Sequence, residues 1–541
     1  MTNYAGYMGK VIRLDLGSRS VSEYPWTDRD RRLYLGGKAM ASKIMYDTFT
    51  GSENPLEPEN IIVISTGPLT GTGAPSSSRF NISTLSPQTG ITTSSNCGGN
   101  FGHYLKKAGY DALIISGKCE KLTWVEIHND IIKFHDAQEL KGLCTTPTQE
   151  SIQQKLDEER GCEVKCGKVV IGPAGENLVK YASVFSNERA AGRAGVGCVF
   201  GSKNLKGIAV SGTHEVSIYD PQKTHKLFEK WVETLKKHPL TGNQLPKMGT
   251  AGLVTTMQMR GLLSTRNYAK GQFEDFELVN GETLAEDINI VNKGCLSCPM
   301  KCARTVKVGD HEVKGPELET LGLLGGGIMN NDLKLICKWN YELDELGMDT
   351  ISCASTVAWA MEANEKGLWK NGLQFGKTAN LSAVFRSIAN RQGIGNELAE
   401  GTRTLSNKYG GKEFAIQSKG LLAAYEPRKA VGQGLGYAVS NRGGCHLNGG
   451  YLVILEGLGL NVNSQTPHAK ADLCMLMQDL MESVSSGGQC LFTSYALFPS
   501  FLLSGPNSFI TRTVNAVMPY IGPAVRLINK YRPSRRPCST T

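Results

Sequence analysis

Three cysteines within eight residues carry the strongest chemical signal in the chain. The segment KGCLSCPMKC places Cys295-x2-Cys298-x3-Cys302 on one short stretch, close enough for one loop to turn three thiolates toward a single soft-metal centre. A fourth ligand must come from elsewhere in the chain. That need is common to a [4Fe–4S] cluster and to a structural zinc, and three free thiols are the remaining reading of the spacing. The order is the reverse of the C-x3-C-x2-C of radical enzymes that cleave S-adenosylmethionine, which sets that chemistry aside. Cys490, in SSGGQCLF, is the candidate fourth ligand, because its neighbouring glycines let backbone approach a buried group closely. Cys162 and Cys166 have no further obvious partners and read as plain thiols.

Positioning such a centre takes a large interior. A chain of 541 residues implies two to four domains. Forty per cent apolar and 20% charged residues excludes long disorder and a coiled coil. From the start to about Gly212 the apolar runs are short and strand-like: 11–16, 61–65, 80–85, 112–116, 123–127 and 207–210. After about Pro221 they lengthen into helical periods, over 222–237, 333–346, 350–366, 381–391, 397–409 and 469–484. Strands first and helices second predict an α+β fold. The expected division is a β-rich cofactor-binding domain over 1–212, a helical domain with the cysteine cluster over 213–420, and a helical domain with the fourth cysteine and a basic tail over 421–541. The cofactor is expected to lie buried between them. No G-x-G-x-x-G opens a helix after an early strand, and no G-x-x-x-x-G-K-[ST] occurs, so neither a dinucleotide nor a nucleoside triphosphate is the expected ligand.

The net charge is +9, and no acidic residue follows Glu482, whereas Arg512, Arg526, Lys530, Arg532, Arg535 and Arg536 do. Such a tail suits an acidic protein or an anionic membrane surface, or is simply solvated. No nucleic-acid motif accompanies it. With no apolar run of transmembrane length and no signal-like start, the expected location is the cytoplasm.

Ten ordered blocks give these features a context. They include GPLTGTGAPSSSRF at 67–80, SNCGGNFG at 95–102, RAAGRAGVG at 189–197, GPELE at 315–319, DELGMD at 344–349 and NRGGCH at 441–446. Through them, and the cysteine segment, the chain resembles the tungsten-containing aldehyde:ferredoxin oxidoreductase family over nearly its whole length. The resemblance implies a tungsten or molybdenum ion held by two pyranopterins, beside a [4Fe–4S] cluster on Cys295, Cys298, Cys302 and Cys490. It implies Mg2+ between the pterin phosphates, on the backbone carbonyls of Asn96 and Ala190, with Arg79 between pterin and cluster. It implies pterin contacts from Asp344 and Asp349, while Ser485 stands where the second pterin motif has its aspartate.

For chemistry the resemblance implies Glu319 as the base for water and His446 as the donor to the substrate oxygen in aldehyde oxidation. A dry pocket would raise the carboxylate's pKa toward neutrality. Electrons would leave singly to ferredoxin or an iron–sulfur partner subunit. Lys338, Trp339, Asn340 and Tyr341 occupy the place of a family E-x-x-H motif that bridges two subunits, so any homodimer would lack that metal. The resemblance weakens after Cys490, and a more open substrate channel, or one closed by a partner chain, is expected there. The competing functions are reduction of aromatic acyl-CoA thioesters by the same cofactors, and a cluster-only electron carrier.

Overall fold

A computed structural model describes residues 4–458, 461–503, 505 and 507–531. The first 212 residues form two six-stranded, largely antiparallel sheets. The first runs in the order Ser20–Glu23, Lys10–Asp15, Tyr110–Ser116, Ile62–Thr66, Phe80–Leu85, Thr92–Cys97. The second runs Arg189–Ala191, Val184–Ser186, Gly167–Val170, Leu205–Ser211, Thr123–His128, Ile131–Asp136.

Strand periodicity explains the layering. Ile12, Leu14, Ile62, Ile64, Leu113 and Ile115 point inward and meet Val125, Ile127, Val169, Ile208 and Val210 of the other sheet in one core. Their neighbours Val11, Ile61, Val63, Ala112 and Ile114 point the other way, onto Met40, Ala41, Ile44 and Met45 of helix Gly37–Thr48. Helix Thr145–Arg160 covers the outer face of the second sheet through Ile152 and Leu156, against Trp124, Val170 and Ala209. Strands buried on both faces read as continuous apolar runs, and that is why this half reads as strand-like.

The remainder is mainly helical around one large core. Helices Leu333–Leu346 and Thr350–Glu365 fall on their expected ranges, and the link between them matters for the site. Gly347 ends the first at φ 80°, and Asp349 caps the second, accepting from Ile351 N at 3.2 Å and Ser352 N at 3.1 Å.

Three features depart from the sequence expectation. The helix expected over 397–409 is two, Ile394–Leu398 and Thr402–Tyr409, separated at Gly401, whose φ of 79° is left-handed. The β-rich half carries the two covering helices. The helical half contains a three-stranded sheet, Asn289–Lys293, Ala303–Val308 and His311–Lys314, built around the cysteine segment. Among the described residues no helix is long and apolar enough to cross a membrane. Of the basic tail, Arg532, Arg535 and Arg536 lie outside the described residues, while Arg526 sits 3.5 Å from Asp472.

Candidate active site

The cysteine segment is the loop of a β-hairpin. Lys293 pairs with Ala303, so the residues between them leave and re-enter the sheet as a closed excursion. Within it Ser297 and Lys301 have positive φ, and Cys298 N donates to Cys295 O at 3.1 Å, which folds the loop back on itself. The remote Cys490 is stitched to this loop through Ser76. Ser76 N donates to Ser297 O at 3.0 Å, its hydroxyl to Cys298 Sγ at 3.2 Å, and its carbonyl accepts from Cys490 N at 2.9 Å.

Three residues on, Arg79 Nη2 donates to Cys490 Sγ at 3.1 Å and Nη1 to Asn96 Oδ1 at 3.2 Å. Burial works against the Arg79 charge, yet the thiols of Cys490, Cys295 and Cys302 around it hold its guanidinium above the usual range. Two glycines make these approaches feasible. A Cβ on Gly98 would stand 2.8 Å from Cys295 Sγ, and one on Gly67 would stand 2.2 Å from the Gly487 carbonyl carbon, just before Cys490. Among the described residues no three His, Cys, Asp or Glu side chains are drawn together tightly enough to hold one metal ion.

Next to this thiol pole opens a cavity of about 260 Å³, in which nearly every predicted site residue meets. Arg79, Asn96, Ala190, Asp344 and Asp349 line it, together with Cys302, Cys490, Glu319 and His446. Asn96 and Ala190 lie on Thr92–Cys97 and Arg189–Ala191, the edge strands of the two sheets. Arg442 donates to the Ser94 carbonyl, and the two-residue period of a strand sends the Asn96 carbonyl off the same edge.

Asp344 pairs with Lys314 at 3.0 Å, and burial pushes its pKa up despite that cation. Asp349, besides capping its helix, lies 3.1 Å from Arg193 Nε. The Ser485 hydroxyl donates to Asn81 Oδ1 at 3.3 Å and accepts from Asn96 Nδ2 at 3.4 Å.

The lining is charged and rich in donors. Six cations, Lys38, Arg79, Arg189, Arg193, Lys314 and Arg442, and five carboxylates, Glu317, Glu319, Asp344, Asp349 and Glu482, face the cavity. Lys38, Arg193 and Lys314 pair with Glu482, Asp349 and Asp344, which leaves Arg79, Arg189 and Arg442 without a carboxylate partner among the described residues and suited to an acceptor-rich anion. Three buried donors around the cavity, Asn81 Nδ2, Arg193 Nη1 and Arg442 Nε, and the ring nitrogen His446 Nδ1 have no hydrogen-bond partner among the described residues. Such groups are costly unless a ligand accepts from them, and phosphate-bearing pterins would.

At the other pole Glu319 stands in the first turn of the short helix Leu318–Leu324. The Tyr425 hydroxyl donates to Glu319 Oε1, and His446 Nε2 is 3.4 Å from the same oxygen. The Tyr425 and His446 rings meet edge-on with centroids 5.2 Å apart. Burial, then the charge of Glu317, pushes the Glu319 carboxyl up to about 7. Burial, then Arg193 and Arg442, holds His446 well below the usual imidazole range, so it is neutral at pH 7. Behind them the Tyr495 hydroxyl donates to Tyr451 at 3.1 Å. Tyr425 was not among the residues expected from sequence. A buried tyrosine needs a partner for its hydroxyl, but nothing local to AAYEPR says that the partner is Glu319.

A cavity between two β-sheets and a helical core, lined by buried cations and carboxylates, by two of the clustered cysteines and by a carboxyl of near-neutral pKa, is of the kind an oxidoreductase uses. The models of the two parts of aldehyde ferredoxin oxidoreductase match the chain, the N-terminal domain over residues 11–212 and domains 2 and 3 over residues 226–517. The chain belongs to the aldehyde ferredoxin oxidoreductase family.

It is 40% identical over 506 residues to the tungsten-containing aldehyde ferredoxin oxidoreductase of Pyrococcus furiosus, covering 91% of this chain and 82% of that one. The enzyme of the same description from Thermococcus kodakarensis is 39% identical with the same coverage. Among solved structures, the active-site complex BamBC of benzoyl coenzyme A reductase with 1,5-dienoyl-CoA superposes with a TM-score of 0.77. It is 25% identical, covering 90% of this chain and 82% of that one.

Proposed function

We propose that this enzyme oxidises an aldehyde to the carboxylic acid, RCHO + H2O → RCOOH + 2 e− + 2 H+, and hands the electrons one at a time to ferredoxin or an iron–sulfur partner. When bound, a bis-pterin tungsten or molybdenum ion supplies Lewis acidity and takes up the electron pair, and a [4Fe–4S] cluster splits it into single electrons. Cys295, Cys298, Cys302 and Cys490 would hold the cluster, with Arg79 between it and a pterin. Asp344 and Asp349 would meet the pterins, and the carbonyls of Asn96 and Ala190 would hold Mg2+ between their phosphates.

The observation that carries the reading is the Glu319–His446–Tyr425 group in the same cavity as Cys490 and Arg79. The Tyr425 hydroxyl donates to Oε1 of Glu319, which leaves Oε2 to take a proton from water. A carboxyl near pH 7 is suited to accept that proton and to release it again. His446, neutral and with Nδ1 unpartnered, can donate that N–H to the substrate oxygen and polarise the carbonyl. The His446 and Glu319 side chains are only 10% and 13% exposed, which limits bulk water at the proton transfers.

Metal analysis together with benzyl-viologen reduction over a panel of aliphatic and aromatic aldehydes tests this. Tungsten or molybdenum with about four irons per chain, and aldehyde-dependent dye reduction, are expected. Iron alone, with no reduction by any aldehyde, would leave a cluster-only carrier. The likeness to benzoyl coenzyme A reductase favours a second reading, reduction of an aromatic acyl-CoA thioester. The higher identity to the aldehyde enzymes weighs against it, and turnover of benzoyl-CoA but no aldehyde would establish it.

A further inference from the structure

We infer that the acidic electron-carrier protein docks on the face formed by the tip of the cysteine loop and helix Pro221–Lys237, with Lys236, Lys293 and Lys301 as its cationic rim. The inference rests on the proposed function and adds to it where the electrons leave.

Three observations carry it. First, this is where the thiol pole meets solvent. Leu296 is 45% exposed, Ser297 and Lys301 are exposed, and Cys295, Cys298 and Cys302 are themselves only half-buried. Electron transfer weakens steeply with distance, so a carrier seated here has a shorter path than one seated on any face across the sheets. Secondly, Ser297 is not the end of a bare loop. It shares a groove of about 710 Å³ with Pro75, Phe228 and Val232, an apolar floor between the loop and the helix. Pro75 is the neighbour of Ser76, whose contacts bind Cys490 to the loop, so the groove floor is continuous with the thiol cage.

Thirdly, the charges around the groove are asymmetric. Of its two acids Glu233 is paired with Lys237 at 2.5 Å and Glu229 lies 3.3 Å from the His225 ring, while helix Pro221–Lys237 carries five lysines against these two carboxylates. Lys293 pairs only loosely, 3.7 Å from Glu188, and Lys236 and Lys301 enter no ion pair among the described residues. An apolar centre with a cationic rim suits a small acidic partner, since transient redox contacts are small and their rim charges chiefly raise the association rate. The basic tail, by contrast, follows Cys490 by more than twenty residues before its first cation.

The test compares two electron acceptors on the holoenzyme with an aldehyde as donor: a small acidic [4Fe–4S] ferredoxin, and benzyl viologen, which needs no docking face. In wild type, ferredoxin kcat/KM should fall several-fold between 50 and 300 mM salt, on the order expected of steered association, while dye reduction stays level. Lys236→Glu, Lys293→Glu and Lys301→Glu combined should cut ferredoxin kcat/KM by about tenfold or more and flatten its salt dependence, with dye reduction retained. The single Lys236→Glu, outside the cysteine loop, should give a smaller loss in the same direction and guards against a loop that no longer holds the cluster. Unchanged ferredoxin kinetics in both variants, with dye reduction intact, overturns the docking face. Absence of aldehyde-dependent dye reduction in wild type instead overturns the proposed function.

Discussion

The two poles of the cavity are built on opposite principles. The thiol pole is redundant and largely backbone-made: a hairpin loop, a serine whose N–H and hydroxyl hold that loop while its carbonyl holds Cys490, and glycines where any side chain would collide. The carboxyl pole is sparse. Glu319, Tyr425 and His446 arrive singly from a short helix and two loops, and their properties come from burial rather than from a local motif. The first pole is organised to hold a group in place, and the second to tune a proton.

The largest effect should come from breaking the first pole at its remote member. Cys490→Ala removes the thiol that Arg79 contacts, and should reduce cluster iron from about four atoms per chain toward none, abolishing transfer to any acceptor. Iron and acid-labile sulfide analysis measures it, and a full complement of iron would show that the fourth ligand lies elsewhere.

Glu319→Gln should leave iron and tungsten bound and lower kcat by roughly 10²–10⁴, the range of a lost general base. Near-normal turnover would remove Glu319 from the chemistry and leave the second pole without a base.

Tyr425→Phe sharpens the claim that the second pole tunes. The hydroxyl donates to Glu319 Oε1 and so favours the carboxylate, counteracting burial. Its loss should raise the Glu319 pKa from about 7 by roughly one unit. The active species is the carboxylate, so kcat/KM should rise with pH through the higher value, with a loss of about tenfold at pH 6 and little at pH 9. A pH–rate profile reads this directly. A uniform loss at every pH would mean that Tyr425 only packs.

How much of this was legible follows from the same contrast. The thiol pole could be read because C-x2-C-x3-C is a short-range pattern, and Cys490 stood out beside glycines. The strands and most helices could be read because burial on both faces or on one stripe leaves a periodic trace. The hairpin around the cysteines was hidden: its strand Asn289–Lys293 is largely exposed and carries no alternation of apolar residues. The resemblance, not the chemistry of the residues themselves, singled out Glu319 and His446. Tyr425 was missed because its role is a contact across 106 positions of sequence, and only the fold expresses it.

Asp349 lies between the two principles and gives the smallest and most discriminating effect on cofactor content. Its carboxylate caps helix Thr350–Glu365, accepts from the Ser352 hydroxyl at 2.5 Å, and faces Arg193 at 3.1 Å, so its oxygens are well occupied without any cofactor. Asn is as good an N-cap as Asp, so Asp349→Asn keeps the cap while removing the charge that meets Arg193. Leaving the buried Arg193 without its carboxylate should cost about 3–5 kcal/mol in either variant, and Asp349→Ala should lose about a further 1–2 kcal/mol of unfolding free energy with the cap. If the carboxylate also meets a pterin, as the proposed function has it, Asp349→Asn should still lower tungsten content, about two- to threefold, the scale of one weakened hydrogen bond. Full tungsten in Asp349→Asn, despite its lost pair with Arg193, would make Asp349 part of the scaffold alone and leave Asp344 as the sole aspartate on the cofactor.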